Sequence, residues 1–285
     1  MQIPGPAPVV VGVNGTAAGL AAARLGAREA VTRGQPLRIL HVFAWPGMRY
    51  TDDPSDYASA RQEAGRIVEE AVATAARSVP GVRGEGLVVD GQPVRELLRR
   101  SRTAGLLVLG ADDPATGVRL PLDPVLVQVV SRARCPVVVA HGVRPPAGPL
   151  LVAVDGSPSS WAALRLAAAE ARRRGVTLEI AHVAATDAAV PAGRRLLDRA
   201  AAACPGELVE VRRTLLVGDP APTLVRTSRR ARMMILGPRG TGGGLLGAVA
   251  GELLRHCACP TLFVHGDPAG DDPADGALPA GALMS

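Results

Sequence analysis

Two short stretches of the same design decide the fold. Residues Val9–Thr16 have the sequence VVVGVNGT, and residues Leu150–Ser157, 141 positions later, have the sequence LLVAVDGS. Each is an apolar run that ends in Asn-Gly or Asp-Gly and leads into an alanine-rich stretch, which is typical of a buried strand followed by a helix. Thr16 and Ser157 stand where helix N-caps belong. The pair predicts two copies of one α/β unit.

Other landmarks repeat in the same order along the chain. The matched residues are His41 with His182, Gly91 with Gly218, and Cys135 with Cys259. Their offset falls from 141 to 127 and then to 124, so the second copy is shorter by 14 residues in its middle and by three more later. Repetition in one order indicates tandem domains.

The boundaries follow from composition. Gly142–Pro149 contains one Pro-Pro pair and one Gly-Pro pair and is predicted to be a linker. It divides the chain into a first copy, residues 1–145, and a second copy, residues 146–265. Residues 266–285 consist mainly of Gly, Ala, Pro and Asp and are predicted to be a disordered tail.

Apolar runs alternate with Ala/Arg-rich amphipathic stretches within each copy. In the second copy, strands are predicted at about 149–154, 177–183, 208–216, 232–237 and 260–265, and helices at about 158–174, 190–204, 220–230 and 246–257. Continuously apolar strands separated by helices predict a parallel sheet covered on both faces. The fold class is therefore α/β, with two tandem doubly wound, Rossmann-like domains, each with a five-stranded parallel sheet and a ligand site at the strand carboxyl ends.

Composition excludes several classes of function. All 32 basic residues are arginine, which excludes P-loop and Schiff-base chemistry because both need a lysine. Aromatic residues make up 2%, too few for a platform that stacks single-stranded nucleic acid. The net charge is +6, but the arginines stand at helical positions such as Arg172–Arg174. These are predicted to be solvated helix faces, so no nucleic-acid partner is expected.

Location follows from what the sequence lacks. No apolar run reaches the 18 or so residues that span a bilayer, and no signal peptide is visible. Four cysteines in 285 residues make no disulfide framework. We expect a cytoplasmic protein with no membrane partner.

The strongest local feature is a glycine-rich loop. Gly237–Gly244, with the sequence GPRGTGGG, follows an apolar strand and leads to Gly247–Val249, where a helix is predicted to begin. Glycines allow positive φ and bring N–H groups close to an oxyanion, and a helix N-terminus adds free donors. The pattern indicates a phosphate-binding loop. A flexible surface loop is the alternative that the glycines alone leave open.

The order of these motifs resembles the universal stress protein family over nearly the whole chain apart from the tail. The shared motifs are Val-Asp-Gly-Ser after the first strand, His-Val after the second, Gly-Asp-Pro-Ala before the third helix and the glycine loop after the fourth strand. Nucleotide-binding members carry Gly-x2-Gly-x9-Gly-Ser/Thr and hold ATP across the strand ends. The resemblance implies ATP, with or without Mg²⁺, at the positions of Asp155, Val183, Gly237, Gly240, Gly247, Ala248 and Val249.

The second copy departs from that pattern at two points. Six residues, not nine, separate Gly240 from Gly247, and Ala248 stands where the family has a hydroxyl. Loss of one charge-assisted hydrogen bond costs about 1.5–3 kcal/mol. A weakened ATP site is expected in the second copy.

The first copy departs further. Asp113 and Asp123 replace the second and third glycines, Pro124 replaces the Ser/Thr, and Asn14 replaces the usual Asp. Two carboxylates facing a triphosphate repel it, and proline removes an N–H donor. No ATP is expected in the first copy, so its role is structure or dimerisation.

Other candidate groups indicate less. His256, Cys257, Cys259 and His265 do not have a zinc-site spacing, so no metal is predicted and the cysteines are expected to be buried. His41 and His182 end equivalent strands and are predicted to be structural or to contact the ligand through their backbone. Asp52, Asp53 and Asp56 fall in the insertion of the first copy and are predicted to lie in a solvated loop, with a cation site left open.

These patterns favour a nucleotide-sensing, stress-associated binding protein, because they contain no nucleophile–base pair or other catalytic set. An interaction module of the same fold that binds no nucleotide is the first alternative, and a slow ATP hydrolase is the second. The last strands, at 137–141 and 261–265, are apolar at equivalent edges, so they are predicted to pair within the chain about a pseudo-twofold axis. The resemblance implies the same pairing. A homodimer is left open.

Overall fold

The computed structural model describes residues 6–45, 54–111, 123–142, 147–204, 210–240 and 246–266, with residues 54 and 55 described by their backbone alone. The predicted tail beyond Gly266, the linker residues 143–146, and Asp52, Asp53 and Asp113 lie outside these residues.

Strands and helices alternate along the chain as predicted. The strands are β1 (Val9–Val13), β2 (Leu37–Phe43), β3 (Gly84–Asp90), β4 (Leu106–Gly110), β5 (Val137–Ala140), β6 (Leu150–Ala153), β7 (Leu178–Ala184), β8 (Val211–Val217), β9 (Met233–Leu236) and β10 (Thr261–Phe263). The helices are α1 (Ala17–Arg33), α2 (Pro54–Ser78), α3 (Pro93–Arg100), α4 (Pro124–Arg132), α5 (Pro158–Arg174), α6 (Val190–Ala202), α7 (Pro220–Ser228) and α8 (Ala248–His256), with a short 3-10 turn at Asp187–Ala189. In the second copy every bound lies within three residues of its prediction.

The first helix of each copy begins and ends through matched local chemistry. The Thr16 hydroxyl accepts a hydrogen bond from the Gly19 amide, and the Ser157 hydroxyl accepts one from the Ser160 amide, which confirms both N-caps. Both helices end at a glycine in the left-handed region, where a side chain would be strained.

All ten strands form one sheet, in the order β3-β2-β1-β4-β5-β10-β9-β6-β7-β8. Within each copy the neighbours are parallel, and the order is that of a doubly wound domain. The two copies meet where β5 and β10 pair antiparallel, with Val138 opposite Leu262. These two residues are equivalent positions of the repeat, 124 apart, so the pairing has the predicted pseudo-twofold symmetry.

The core is aliphatic and lies on both faces of this sheet. Alternate residues of a strand belong to different clusters: Val9 and Val11 pack in one, and Val10 packs in the other. Both clusters contain residues of both copies, for example Val138 and Leu262 in the first. Burial on both faces holds the carboxyl ends of the parallel strands in place.

A buried group of four charges joins the two copies. Arg33 of α1 lies 3.0 Å from a Glu170 carboxylate oxygen, and Arg174 of α5 lies 2.6 Å from a Glu29 carboxylate oxygen. Each arginine also pairs with the glutamate four residues earlier on its own helix. We call Glu29, Arg33, Glu170 and Arg174 the charge quartet.

The charge quartet corrects one prediction. Arg174 was expected on a solvated helix face, but its side chain is only 11% exposed. Burial alone would lower the pKa of Arg174, yet the carboxylates of Glu29 and Glu170 raise it above its ordinary value. The sequence conceals this because the partners lie on the equivalent helix of the other copy.

A second correction concerns the insertion in the first copy. Helix α2 begins at Pro54, so Asp56 belongs to its first turn and not to a loop. The helix has 25 residues, whereas its counterpart α6 has 13. The first copy therefore has a helix here that is 12 residues longer than its counterpart. Among the helices that the structure describes, none is long and apolar enough to cross a membrane.

Candidate functional site

One cavity, of about 480 Å³, lies at the carboxyl ends of β6, β7 and β9. It brings together all seven residues that the family resemblance implied. These are Asp155, Val183, Gly237, Gly240, Gly247, Ala248 and Val249. What they bind remains a prediction, but they come from four separate parts of the chain and converge on one space.

The two oxygen atoms of the Asp155 carboxylate have different surroundings. Its Oδ1 accepts hydrogen bonds from the Ser157 amide at 2.9 Å and the Ser157 hydroxyl at 2.6 Å, which fixes the turn between β6 and α5. Its Oδ2 faces Gly240, where an added Cβ would stand 2.9 Å away. One carboxylate oxygen is thus left to accept a hydrogen bond at the cavity wall.

The N-terminus of α8 supplies donors. Gly247 is the N-cap and offers no side-chain cap, and its own amide donates to the Pro238 carbonyl at 2.9 Å. The amides of Ala248, Val249 and Ala250 are the first three of the helix and have no intrahelical acceptor. All three residues line the cavity. Among the described residues these three N–H groups have no acceptor, and at the positive end of a helix dipole they favour an anion.

The glycines of the loop act differently from the prediction. Positive φ was expected, but Gly237, Gly240 and Gly247 are absent from the glycines that adopt it in the described part of the chain. Close packing requires them instead. A Cβ on Gly237 would overlap the Ser159 hydroxyl, and one on Gly240 would crowd Asp155. Residues 241–245 of the loop lie outside the described residues.

Two residues near the loop escaped the sequence analysis. The Ser159 hydroxyl donates to the Arg239 carbonyl at 2.6 Å and so fastens the loop to α5. Arg239 lines the cavity, and its guanidinium donates to the Ser131 carbonyl of α4, in the first copy, at 3.3 Å. A cation between two loop glycines was the signal that could have revealed Arg239. Burial lowers the pKa of the nearby His265, and the charge of Arg239 acts in the same direction.

The paired histidines take the structural role expected of them. Nδ1 of His182 lies 2.8 Å from the Val154 carbonyl, and Nδ1 of His41 lies 2.9 Å from the Val13 carbonyl. Each ring thereby ties the end of the second strand of its copy to the end of the first. His182 lines the cavity beside Val183, and its contact with the Val154 carbonyl holds that part of the cavity wall in place.

The equivalent cavity of the first copy is smaller, about 200 Å³. At its rim Asp123 is the N-cap of α4, and its carboxylate accepts a hydrogen bond from the Val125 amide at 2.7 Å. Pro124 has no N–H, so in this first turn the Leu126 amide is the one that has no acceptor among residues 123–142 and the other described ranges. The prediction placed the Asp123 carboxylate against a triphosphate. In the structure the Asp123 carboxylate also caps the N-terminus of α4, where it takes the place that a bound anion could occupy.

Asn14 preserves the turn that Asp155 makes in the second copy. Its Oδ1 accepts from the Thr16 hydroxyl at 2.7 Å, as Asp155 accepts from Ser157. The amide keeps the backbone geometry and removes the negative charge. The two copies therefore share a scaffold and differ in the charges and donors placed on it.

The cysteines are packing residues in the structure. Cys135, Cys257 and Cys259 are buried, as predicted, and burial raises the pKa of the Cys135 thiol to about 12. The sulfur atoms of Cys257 and Cys259 are 3.8 Å apart. Within the described ranges no three His, Cys, Asp or Glu side chains are grouped so that they could hold a metal ion.

The fold and the cavity define a class: a tandem, doubly wound α/β protein with a ligand cavity at the carboxyl edge of its parallel strands. The family model described as the universal stress protein family matches residues 7–141 and again residues 147–265. The chain belongs to the universal stress protein family.

Relatives and solved structures agree with this assignment. Universal stress protein Rv2005c of Mycobacterium tuberculosis is 33% identical over 289 residues, covering 90% of this chain and 96% of that protein. Universal stress protein Rv2623 of the same organism is 30% identical over 289 residues, covering 90% and 95%. The crystal structure of a universal stress protein from Archaeoglobus fulgidus has a TM-score of 0.73 at 18% identity, covering 90% of this chain and 98% of that one. That last likeness concerns the fold.

Proposed function

We propose that this tandem universal stress protein binds ATP in its second copy only and acts as a non-catalytic nucleotide sensor in a stress response. The observation that carries the proposal is the cavity at Gly237–Val249, where a glycine loop meets an Asp155 oxygen and three α8 amides that have no partner among the described residues. Its volume of about 480 Å³ suits a small-molecule ligand.

Each part of the cavity suits a different part of the nucleotide. The α8 amides and the Arg239 guanidinium are donors and would hold the phosphates. The Asp155 Oδ2 atom is an acceptor and suits the adenosine side. Val183 and Leu236 add apolar surface for the base. Mg²⁺, if carried by ATP, would arrive with its phosphates.

Binding without turnover is supported by the polar groups around the cavity. The Ser157 hydroxyl is bonded to Asp155, the Ser159 hydroxyl to the Arg239 carbonyl and the Ser160 hydroxyl to the Ser157 carbonyl. None of these serines is paired with His182, whose Nδ1 faces the Val154 carbonyl. A nucleophile needs an adjacent base that is free to take its proton. The described serines therefore offer no serine–histidine pair for covalent catalysis, which supports binding without a covalent intermediate.

A thermal-shift titration with ATP and Mg²⁺ tests the proposal. A ligand that binds the native state raises the free energy of unfolding by about 2.7 kcal/mol at 100 times its dissociation constant. Gly240→Asp is the matched variant, because it adds a carboxylate beside Asp155 and copies the residue type of the first copy. The wild type should be stabilised and the variant should not. Stabilisation of both would place the site elsewhere, and stabilisation of neither would favour the interaction module.

A further inference from the structure

Half of the six aromatic residues of the chain lie together at one corner of the first copy. The ring centroids of Phe43, Trp45 and Tyr57 are 5.4–6.0 Å apart, with the Phe43 and Trp45 rings stacked and Tyr57 edge-on to both. We call these three side chains the aromatic corner. A protein this poor in aromatics has concentrated them at the carboxyl ends of β2 and β3, the edge where this class of fold holds ligands.

The corner exists because the first copy is longer than the second. Helix α2 exceeds α6 by 12 residues, or about 18 Å of helix. Tyr57 and Arg61 belong to this extension. Phe43 corresponds to Ala184, and Trp45 corresponds to Thr186, at the repeat offset of 141. The corner is therefore a feature of one copy and is separate from the machinery that both copies share.

The aromatic corner borders a cavity of about 500 Å³, whose other walls are Asp90, Gly91, Gln92, Arg95 and Glu96. Tyr57 is 38% exposed, so an aromatic ring is presented at the rim. This cavity is distinct from the nucleotide-type cavity of the first copy, which is lined by Gly12–Asn14 and the residues around them.

The polar groups of this cavity differ in what they leave free. Asp90 is paired with Arg61 at 3.3 Å, and Arg61 also lies over the Phe43 ring. Glu96 is paired with Arg99 at 2.6 Å. Both carboxylates are thus already neutralised by arginines of the chain.

Arg95 and Gln92 are the uncommitted groups. Among the described residues the Arg95 guanidinium has no carboxylate partner, and Gln92 stands at the N-cap of α3 without a side-chain cap hydrogen bond. The cavity therefore combines aromatic surface with a positive charge and an amide, not with a spare negative charge. A planar ring that carries an anionic group matches this cavity, because the ring can pack on the aromatic surface and the anion can accept hydrogen bonds from the guanidinium and the amide.

We infer that the aromatic corner is a second ligand site, which binds a small planar aromatic carboxylate, its ring against Phe43, Trp45 and Tyr57 and its carboxylate on Arg95 with Gln92. This ligand class is independent of the nucleotide proposed for the second copy. The site needs no residue of the Gly237–Val249 loop.

Fluorine NMR with three matched probes tests the inference. The probes are 4-fluorobenzoate, 4-fluorobenzamide and 4-fluorobenzylammonium, which share a ring and carry a negative, a neutral and a positive group. Each is titrated into the full chain with saturating ATP present, so that the nucleotide cavity is not the reporter. The benzoate should broaden and saturate, with the benzamide about tenfold weaker because it lacks the ionic hydrogen bond.

Three variants assign the binding to the corner. Arg95→Gln should weaken benzoate binding about tenfold, and Tyr57→Ala should weaken it about three- to tenfold through loss of ring contact. Arg102→Gln removes an equal charge from an exposed arginine beyond the other end of α3 and should leave binding unchanged. Because Arg95 is exposed, its variant is not expected to unfold the protein, and a melting curve without probe checks this.

Several outcomes would contradict the inference. Equal binding of all three probes would indicate an unselective apolar surface and overturn the inference. Preference for the ammonium probe would assign the corner to organic cations instead. Binding that survives Arg95→Gln and Tyr57→Ala, or no binding at all, would refute the site.

Discussion

Helices α4 and α8 begin at equivalent places in the two copies, but their N-cap residues differ, and so do the hydrogen bonds of their first-turn amides. In α8 the N-cap is Gly247, and beside the larger cavity three amides have no partner in the part of the chain that the structure describes. In α4 the N-cap is Asp123, whose carboxylate takes the Val125 amide, and Pro124 has none to give. The first copy fills its anion position with its own side chain, whereas the second copy has no such side chain at its N-cap, and there we propose that the nucleotide phosphates bind.

On the proposed function, this difference would give one scaffold two roles. The turns at Asn14 and Asp155, the ring contacts of His41 and His182, and the strand order are the same in both copies. What differs is the cap residue and the volume beside it, about 200 Å³ against about 480 Å³. Function separates at the helix end while the fold stays common.

The largest expected effect lies at the interface, where the two copies should behave alike. Glu29→Gln and Glu170→Gln each leave a buried arginine of the charge quartet without full compensation and should lower the free energy of unfolding by about 3 kcal/mol. Chemical denaturation of each variant measures this. Glu85→Gln, from the exposed pair with Arg38, is the control and should stay within about 0.5 kcal/mol of wild type. Glu170 also pairs with Arg173, so its variant should lose at least as much stability, and the absence of a loss for either variant would contradict the role given to the charge quartet.

The next effect transfers the cap of the first copy to the second. Gly247→Asp should let a carboxylate take the Val249 amide, as Asp123 takes the Val125 amide. ATP affinity should fall about thirtyfold or more, because a donor is lost and a like charge is added. Without nucleotide the variant should be as stable as wild type or slightly more so, since Asp is a better N-cap than Gly by a few tenths of a kcal/mol.

Titration calorimetry for affinity and a denaturant curve for stability separate these two effects of Gly247→Asp. Loss of binding together with loss of stability would mean that the helix end is damaged, not capped. Unchanged ATP affinity would mean that the α8 amides do not hold the phosphates.

A smaller effect restores what the second copy lacks. Ala248→Ser supplies the missing hydroxyl at the first residue of α8 and should strengthen ATP binding about tenfold. Ala248→Val adds bulk without a hydroxyl and is the matched control, with no gain expected. A gain for both variants in calorimetry would attribute the effect to packing against the base or ribose.

The sequence was sufficient for those features that repeat. The two VVVGVNGT-like stretches predicted the repeated α/β copies and the caps at Thr16 and Ser157, and the apolar last strands predicted the pairing of β5 with β10, because each depends on local pattern or on equivalence between copies. The family resemblance implied that Asp155, Val183 and the glycine loop share one site, and the structure places them around one cavity at the strand ends.

Features made by distant partners could not be predicted in this way. The burial of Arg174 depends on Glu29, 145 residues away, and the contact of Arg239 with Ser131 crosses between the copies. The loop glycines were assigned to positive φ because local propensity favours it, whereas Ser159 and Asp155 impose a packing limit that no local pattern displays. The aromatic corner could not be predicted either, because it forms only where the insertion in α2 brings Tyr57 beside the end of β2.

The central claim is that one of two equivalent cavities binds nucleotide. Equilibrium dialysis with ATP and Mg²⁺ counts the sites directly, on the wild type and on Gly240→Asp at the same protein concentration. We expect one ATP per chain for the wild type and none for the variant. Two ATP per chain, or one that persists in Gly240→Asp, would contradict the account, because the first copy would then hold nucleotide despite Asp123 and Pro124.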